Sequence, residues 1–329
     1  MNLSTSPARR ARSLLGALLL LIVTSPAALA GNGFSQLVVF GDSLNDTGNL
    51  IELTGGVFPA PPSYAYGRQS NGAVWVEYLG DLLGLADHLV NYAVAGAMTR
   101  PAPAVPTGNV FSNTFPDLEG TDVTSQVLAY LQDVNWTADP AALYVLEGGS
   151  NDFPRVADPG VIVSHLLESL VALQMSGAKH ILLVTLPDLG LTPRVLLGEQ
   201  TGQLPPGTSA FVSAATAQLN QALLALLPAY TLPGVTVTVG DMHGFMNQVV
   251  ANPAAFGVTN VAEPYLLFGA GEDPSTWLFW DDVHPTTLGH RIFAEQAAAS
   301  LLRTYSPGQG RQGKGAINSL KGLVKVSGR

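Results

Sequence analysis

The sequence has 329 residues, of which 47% are hydrophobic and 12% charged, with 35 Gly, 23 Pro and no Cys. That length suits one large α/β domain or two small ones, and the missing cysteine excludes disulfide frameworks, thiol nucleophiles, iron–sulfur clusters and Cys-ligated zinc. The formal net charge of -9 conceals a split: residues 1–30 hold three Arg and no acid, residues 303–329 hold six basic residues and no acid, and the six remaining basic residues against 24 acidic ones put residues 31–302 at -18. A body of that charge repels phosphate backbones, which argues against nucleic acid as a partner.

Arg9, Arg10 and Arg12 precede the apolar run Leu14 to Val23, and small residues then lead to Ala28-Leu29-Ala30. A positive segment, a short apolar core and an A-x-A site predict a secretory signal over residues 1–30, cleaved after Ala30. The alternative is a retained anchor, but the run falls short of the ~20 apolar residues that span a bilayer. The mature protein is then expected in the periplasm or outside the cell. No later segment reads as a membrane span.

Apolar, β-rich runs follow at Gln36–Phe40, Leu89–Val94, Leu143–Leu146, His180–Leu186 and Val235–Val239. Short unbroken runs of this kind predict strands buried on both faces of a parallel sheet. Amphipathic stretches at Val74–Leu83, Val123–Gln132, Val161–Met175, Ser209–Leu227 and Leu288–Leu302 predict the helices between and after them. Strand alternating with helix predicts a doubly wound α/β sandwich, a single domain over residues 31–305. The stretches Gly55–Gly72 and Pro101–Gly120 read as long loops of the kind that shapes a ligand site. Beyond Tyr305 a basic, Gly-rich tail (306–329) reads as disordered, or as weakly helical around Ile317–Val326; it is held against anionic lipid or the acidic body, or is solvated chain with no role.

In an open parallel sheet, ligands bind beyond the carboxyl ends of the strands. The first strand runs into Gly41-Asp42-Ser43-Leu44, the second into Gly96 and the third into Gly149-Ser150-Asn151-Asp152, while Asp281-Asp282-Val283-His284 precedes the last helix. A serine on a tight turn after a strand exposes its hydroxyl but is a weak nucleophile until a base takes its proton. His284 is the natural base, and Asp281, three residues earlier on the same turn, is spaced to hold its other ring nitrogen. Asp282 points elsewhere on such a turn. The backbone N–H groups of Ser43 and Gly96 and the Asn151 amide are candidate donors to a developing oxyanion.

These four ordered blocks resemble those of the GDSL, or SGNH, esterase and lipase family. The segment Tyr66-Gly67-Arg68-Gln69-Ser70-Asn71-Gly72-Ala73-Val74-Trp75 resembles the loop-to-helix signature of the branch holding secreted bacterial lipases, lysophospholipases and plant lipases. The resemblance covers residues 36–302. It implies a three-layer α/β/α sandwich with a flavodoxin-like sheet, Ser43 as nucleophile, His284 as base, Asp281 as its orienting acid, and Ser43, Gly96 and Asn151 as oxyanion hole. It also implies a secreted serine esterase or lipase acting on lipids or lysophospholipids through an acyl-enzyme, without a cofactor. An acyltransferase passing the acyl group to a lipid or sterol alcohol, a carbohydrate acetyl esterase and a catalytically silent binding protein are the alternatives.

Other polar residues have plainer readings. Asp42 and Asp152 are expected to bond turn amides. Ser70 and Asn71 are expected to cap the helix that starts near Val74 first and to serve site architecture second, and Arg68 is expected to pair with a carboxylate of the body rather than touch a phosphate-bearing head group. His88, His165, His180, His243 and His290 lack metal-ligand spacing and read as surface or satisfied interior residues, so no metal site is expected. Core packing is the default for Tyr265-Leu266-Leu267-Phe268 and Trp277-Leu278-Phe279-Trp280, with one or two of them lining an acyl pocket near His284.

Overall fold

The computed structural model describes residues 33–59, 63–100, 120–153, 156 and 158–305. The expected signal segment, most of the second long loop and the basic tail lie outside the described residues.

Five strands form one parallel sheet. β1 (Leu37–Phe40) lies between β2 (Leu89–Asn91) and β3 (Leu143–Leu146), and β4 (His180–Val184) and β5 (Thr236–Gly240) follow on the β3 side, giving the order β2-β1-β3-β4-β5. Register is fixed by pairs such as Val39 with Val145 and Val145 with Leu182. Because side chains alternate across a strand, Leu37 and Val39 face one helical layer while Val38 and Phe40 face the other. That is why β1 and β3 read as unbroken apolar runs: all four residues of each are buried. β2 departs from the expected doubly buried strand. It is the edge, it ends at Asn91, and Val90 is 36% exposed.

The helices of one layer are α2 (Trp75–Leu83), α7 (Met242–Ala251) and α9 (Thr287–Tyr305), which share a core built around Trp75, Leu79, Phe245 and Phe293. The opposite layer holds α3 (Val123–Asp133), α4 (Pro159–Met175) and α6 (Thr208–Tyr230), packed through Val127, Leu131, Leu166, Leu170, Leu219 and Leu223. The short helices α1 (Asn49–Leu53), α5 (Pro193–Gln200) and α8 (Tyr265–Phe268) sit in the connections, and β6 (Asn260–Pro264) pairs with β7 (Trp277–Phe279) in a separate two-stranded ladder. None of these five was expected, nor was α7.

Helix α6 is long and apolar enough to cross a membrane by composition alone, contrary to the expectation that no such segment follows residue 30. Here it packs on the domain, burying Val212, Thr216, Leu219, Asn220, Leu223 and Leu227. Asn220 fixes it to the sheet: its side chain accepts from Leu186 N and donates to Leu186 O, each at 2.9 Å.

Candidate active site

The carboxyl ends of β1 and β3 flank the point where the chain, having run outward from β1 to β2, reverses to build the other half of the sheet. Such a reversal opens a crevice for ligands. Phe40 hands the chain to Gly41, whose place next to Asn45 and Glu147 leaves no room for a Cβ: one built there would lie 2.3 Å from Asn45 Nδ2 and 3.0 Å from Glu147 Oε2. The turn is then set by Asp42, whose Oδ1 accepts from Leu44 N at 3.0 Å while its backbone carbonyl accepts from Asn45 N and Asp46 N. Asp42 is structural here, as its sequence context suggests.

Ser43 Oγ lies 2.9 Å from His284 Nε2, and His284 Nδ1 lies 2.8 Å from Asp281 Oδ2 and 3.0 Å from Oδ1. With Nδ1–H donated to the carboxylate, Nε2 is left to accept the serine proton. Asp281 also accepts from the backbone of Val283 and His284, so the turn itself fixes the acid against its base. Burial pushes the Asp281 carboxyl up, but the facing His284 charge and these hydrogen bonds outweigh it and hold the carboxyl down at about 2. Asp282 turns away and meets Arg194 in a two-pronged pair, Nε to Oδ2 at 2.8 Å and Nη2 to Oδ1 at 3.1 Å.

Around Ser43 Oγ, the backbone amides of Ser43 and Gly96 donate to no acceptor among the described residues. Gly96 has φ +87, and its peptide is presented by a loop tied to the serine turn through Asp46, whose Oδ2 accepts from Ala95 N at 2.8 Å and from Leu50 N. Asn151, carried by the turn after β3, also borders the site, but its Nδ2 donates to Ala97 O at 3.0 Å and to Asp42 Oδ2 at 3.3 Å. An oxyanion seated between the three must compete with Ala97 and Asp42 for the Asn151 amide.

These groups open onto a cavity of about 430 Å³, walled largely by apolar side chains including Val195, Val212, Met246, Val249, Phe279 and Phe293. Leu278 and Phe279 are buried and line it, while Leu266, Leu267 and Phe268 are 39%, 69% and 52% exposed and correct the expectation of core packing for them. His290 also lines the cavity. Its Nε2 is buried without a partner among the described residues, as is Nδ1 of the half-buried His243, so His290 is neither the surface nor the satisfied interior residue expected, and burial with the nearby His284 holds its pKa down at about 3. Among the described residues no cluster of His, Asp and Glu fits a metal ion.

The segment before α2 corrects one further reading. The cap of α2 is Val74, whose N–H donates to Glu77 Oε2, and Glu77 is gripped by Arg68 through Nε at 3.0 Å and Nη2 at 2.5 Å. Ser70 and Asn71 instead clamp the histidine loop: Ser70 Oγ donates to Pro285 O at 2.9 Å and Thr287 N donates to Asn71 Oδ1 at 2.8 Å. Tyr64, in the same segment, donates to Asp281 Oδ2 at 2.9 Å. Asp152 accepts from Thr99 N and Thr99 Oγ1, as a structural acid would. Tyr64, Asp46 and Glu147 carry no signal in a single sequence, because their roles arise only once distant loops meet.

At the switch point of this parallel three-layer sandwich, Ser43, His284 and Asp281 form one hydrogen-bonded chain. Residues 37–297 match the family of GDSL-like lipases and acylhydrolases, and the chain belongs to that family. It is 30% identical over 301 residues to the thermolabile hemolysin of Vibrio parahaemolyticus, covering 85% of this chain and 66% of that one. It is 26% identical over 339 residues to the phosphatidylcholine-sterol acyltransferase of Aeromonas hydrophila, covering 87% and 96% respectively. Of some relatives the chain spans only about half the length, as with esterase EstA of Pseudomonas aeruginosa, 28% identical over 355 residues, covering 88% of this chain and 50% of that one. A solved member of the lipolytic G-D-S-L family from Veillonella parvula matches with a TM-score of 0.45 at 13% identity, over 82% of this chain and 98% of that one.

Proposed function

We propose that this protein hydrolyses carboxylic esters of lipids through an acyl-enzyme on Ser43. The observation that carries the reading is the unbroken chain from Ser43 Oγ through His284 to Asp281 at the mouth of the apolar cavity. Ser43 Oγ attacks the ester carbonyl carbon as its proton passes to His284 Nε2. The carbonyl oxygen becomes an oxyanion facing Ser43 N and Gly96 N, with the Asn151 amide as a third donor. Collapse breaks the bond to the alcohol oxygen, which takes the proton from His284, and a water then repeats the cycle to release the acid. Asp281 stabilises the imidazolium in both halves.

The cavity supports an acyl chain longer than acetyl, since a wall of aliphatic and aromatic side chains contributes binding in proportion to apolar area covered. Acyl transfer to a sterol or lipid alcohol is the second reading, favoured by similarity along 96% of an Aeromonas hydrophila protein named as such an acyltransferase. Export through the segment at residues 1–30, Asp281–His284–Ser43 catalysis within a domain of residues 31–305, and contact of the basic tail with anionic lipid belong to the same proposal. The test is a p-nitrophenyl ester series from acetate to palmitate, followed by a phosphatidylcholine with and without cholesterol. Rates that rise from acetate to medium or long chains support the reading. A sharp preference for acetate overturns it, and cholesteryl ester as main product replaces hydrolysis with transfer.

A further inference from the structure

Glu147 follows the last residue of β3 and is fully buried, beside the strand that delivers Ser43. Its Oε2 accepts from Asn45 Nδ2 at 2.7 Å and from Asp42 N at 3.4 Å, while its Oε1 is buried with no partner among the described residues. No salt bridge of the described residues includes it. The charged groups it faces are the Asp42 carboxylate directly and, beyond Asp42, Asp152 and His284; its other neighbours, Asn45 of the serine turn and Gln126 of α3 through Gly41, are neutral. A buried carboxylate with an orphaned oxygen and an anion in front of it is costly, whereas the neutral acid is not.

We infer that Glu147 is a positioning residue that works as a neutral carboxylic acid, donating to the Asp42 carboxylate and so holding the Ser43 turn and the Asn151 amide around the oxyanion seat. Asp42 is the relay: its two oxygens take Leu44 N at 3.0 Å and Asn151 Nδ2 at 3.3 Å, one contact on each half of the hole. Burial pushes both carboxyls up, and the facing Asp42 charge raises Glu147 further, so the shared proton resides on Glu147. As pH rises and that proton leaves, two buried anions face each other and the hole loosens. The inference rests on the hydrolase reading above.

Glu147→Gln keeps a donor toward Asp42 and an acceptor toward Asn45 and cannot ionise; Glu147→Leu keeps neither bond. The Leu variant is expected to lose on the order of tenfold to a hundredfold in kcat at pH 7 with KM little changed, and the Gln variant to recover most of that loss. The wild type is expected to lose kcat on the alkaline side, while the Gln variant holds its rate there. If the Leu variant fails to fold by circular dichroism, the pH comparison of wild type with Gln decides. Coincident alkaline limbs, or a Gln variant as impaired as a folded Leu variant, overturn the assignment of Glu147. Ser43→Ala, run in parallel, separates the two readings: turnover surviving there overturns the hydrolase mechanism and this inference with it, whereas loss there with coincident limbs overturns the role of Glu147 alone.

Discussion

The Tyr64 hydroxyl donates to Asp281 Oδ2 at 2.9 Å, the same oxygen that faces His284 Nδ1 at 2.8 Å. A loop more than 200 residues away in sequence therefore helps to aim the acid of the site. Removing that hydroxyl leaves Asp281 with four contacts to Val283 and His284, only one of them on Oδ2, and so loosens the oxygen that faces the imidazole most closely. Tyr64→Phe is expected to lower kcat about tenfold to a hundredfold with KM unchanged, the worth of one hydrogen bond to a charged group. Steady-state kinetics on a soluble ester check it; an unchanged kcat would make the contact incidental.

The Asn151 amide is already engaged, so its truncation separates two roles. If it turns toward the oxyanion in the transition state, Asn151→Ala should cost about 10²-fold in kcat. If it only braces Asp42 and Ala97, the loss should stay under about threefold. Single-turnover acylation with a p-nitrophenyl ester distinguishes these outcomes, and the proposed oxyanion hole predicts the first.

His290 sets an acid limit on stability. Its folded pKa, held down at about 3 by burial and by nearby His284, lies below its ordinary value of 6.5. Between those values the unfolded chain binds a proton that the folded one refuses, so its contribution to stability is present above about pH 6.5 and is lost as pH falls toward the folded pKa. His290→Phe fills the same place without a titrating group. Relative to that variant, the wild type is expected to lose about 3 kcal/mol of unfolding free energy between pH 7 and pH 4. Urea unfolding at the two pH values checks this; parallel behaviour of the two proteins would contradict it.

The cavity wall should set the acyl length. Val212 is buried on α6 and lines the cavity, so Val212→Trp fills part of it. Hydrolysis of p-nitrophenyl acetate should change little, while the longest chain accepted by the wild type should slow by about tenfold or more, the worth of a few excluded methylenes. Equal effects across the series would place the acyl chain elsewhere.

The parts of the molecule legible in the sequence are those governed by local rules. β1 and β3 announce themselves because burial on both faces demands an unbroken apolar run, and the three-residue spacing of Asp281 and His284 implies their bonding, whereas Ser43 meets His284 only through the fold. The expected strand Leu89–Val94 exceeds β2 because Ala93 and Val94 are apolar for another reason: with Ala95 they carry the Gly96 loop over the serine turn, held by Asn49 and Asp46 side chains. A polar pair before a helix looks like a cap first, but Glu77 satisfies Val74 N, so Ser70 and Asn71 take their second reading, site architecture, and grip Pro285 and Thr287. Leu266, Leu267 and Phe268 show the same limit from the other side, since apolarity alone does not say which faces find a partner.

The central claim is that Ser43 carries the acyl group. Intact-protein and peptide mass spectrometry after treatment with a fluorophosphonate tests it most directly. The account predicts one stoichiometric adduct on the peptide bearing Ser43, lost in Ser43→Ala together with esterase turnover while circular dichroism is unchanged. An adduct on another residue, or turnover retained by a folded Ser43→Ala protein, would contradict it.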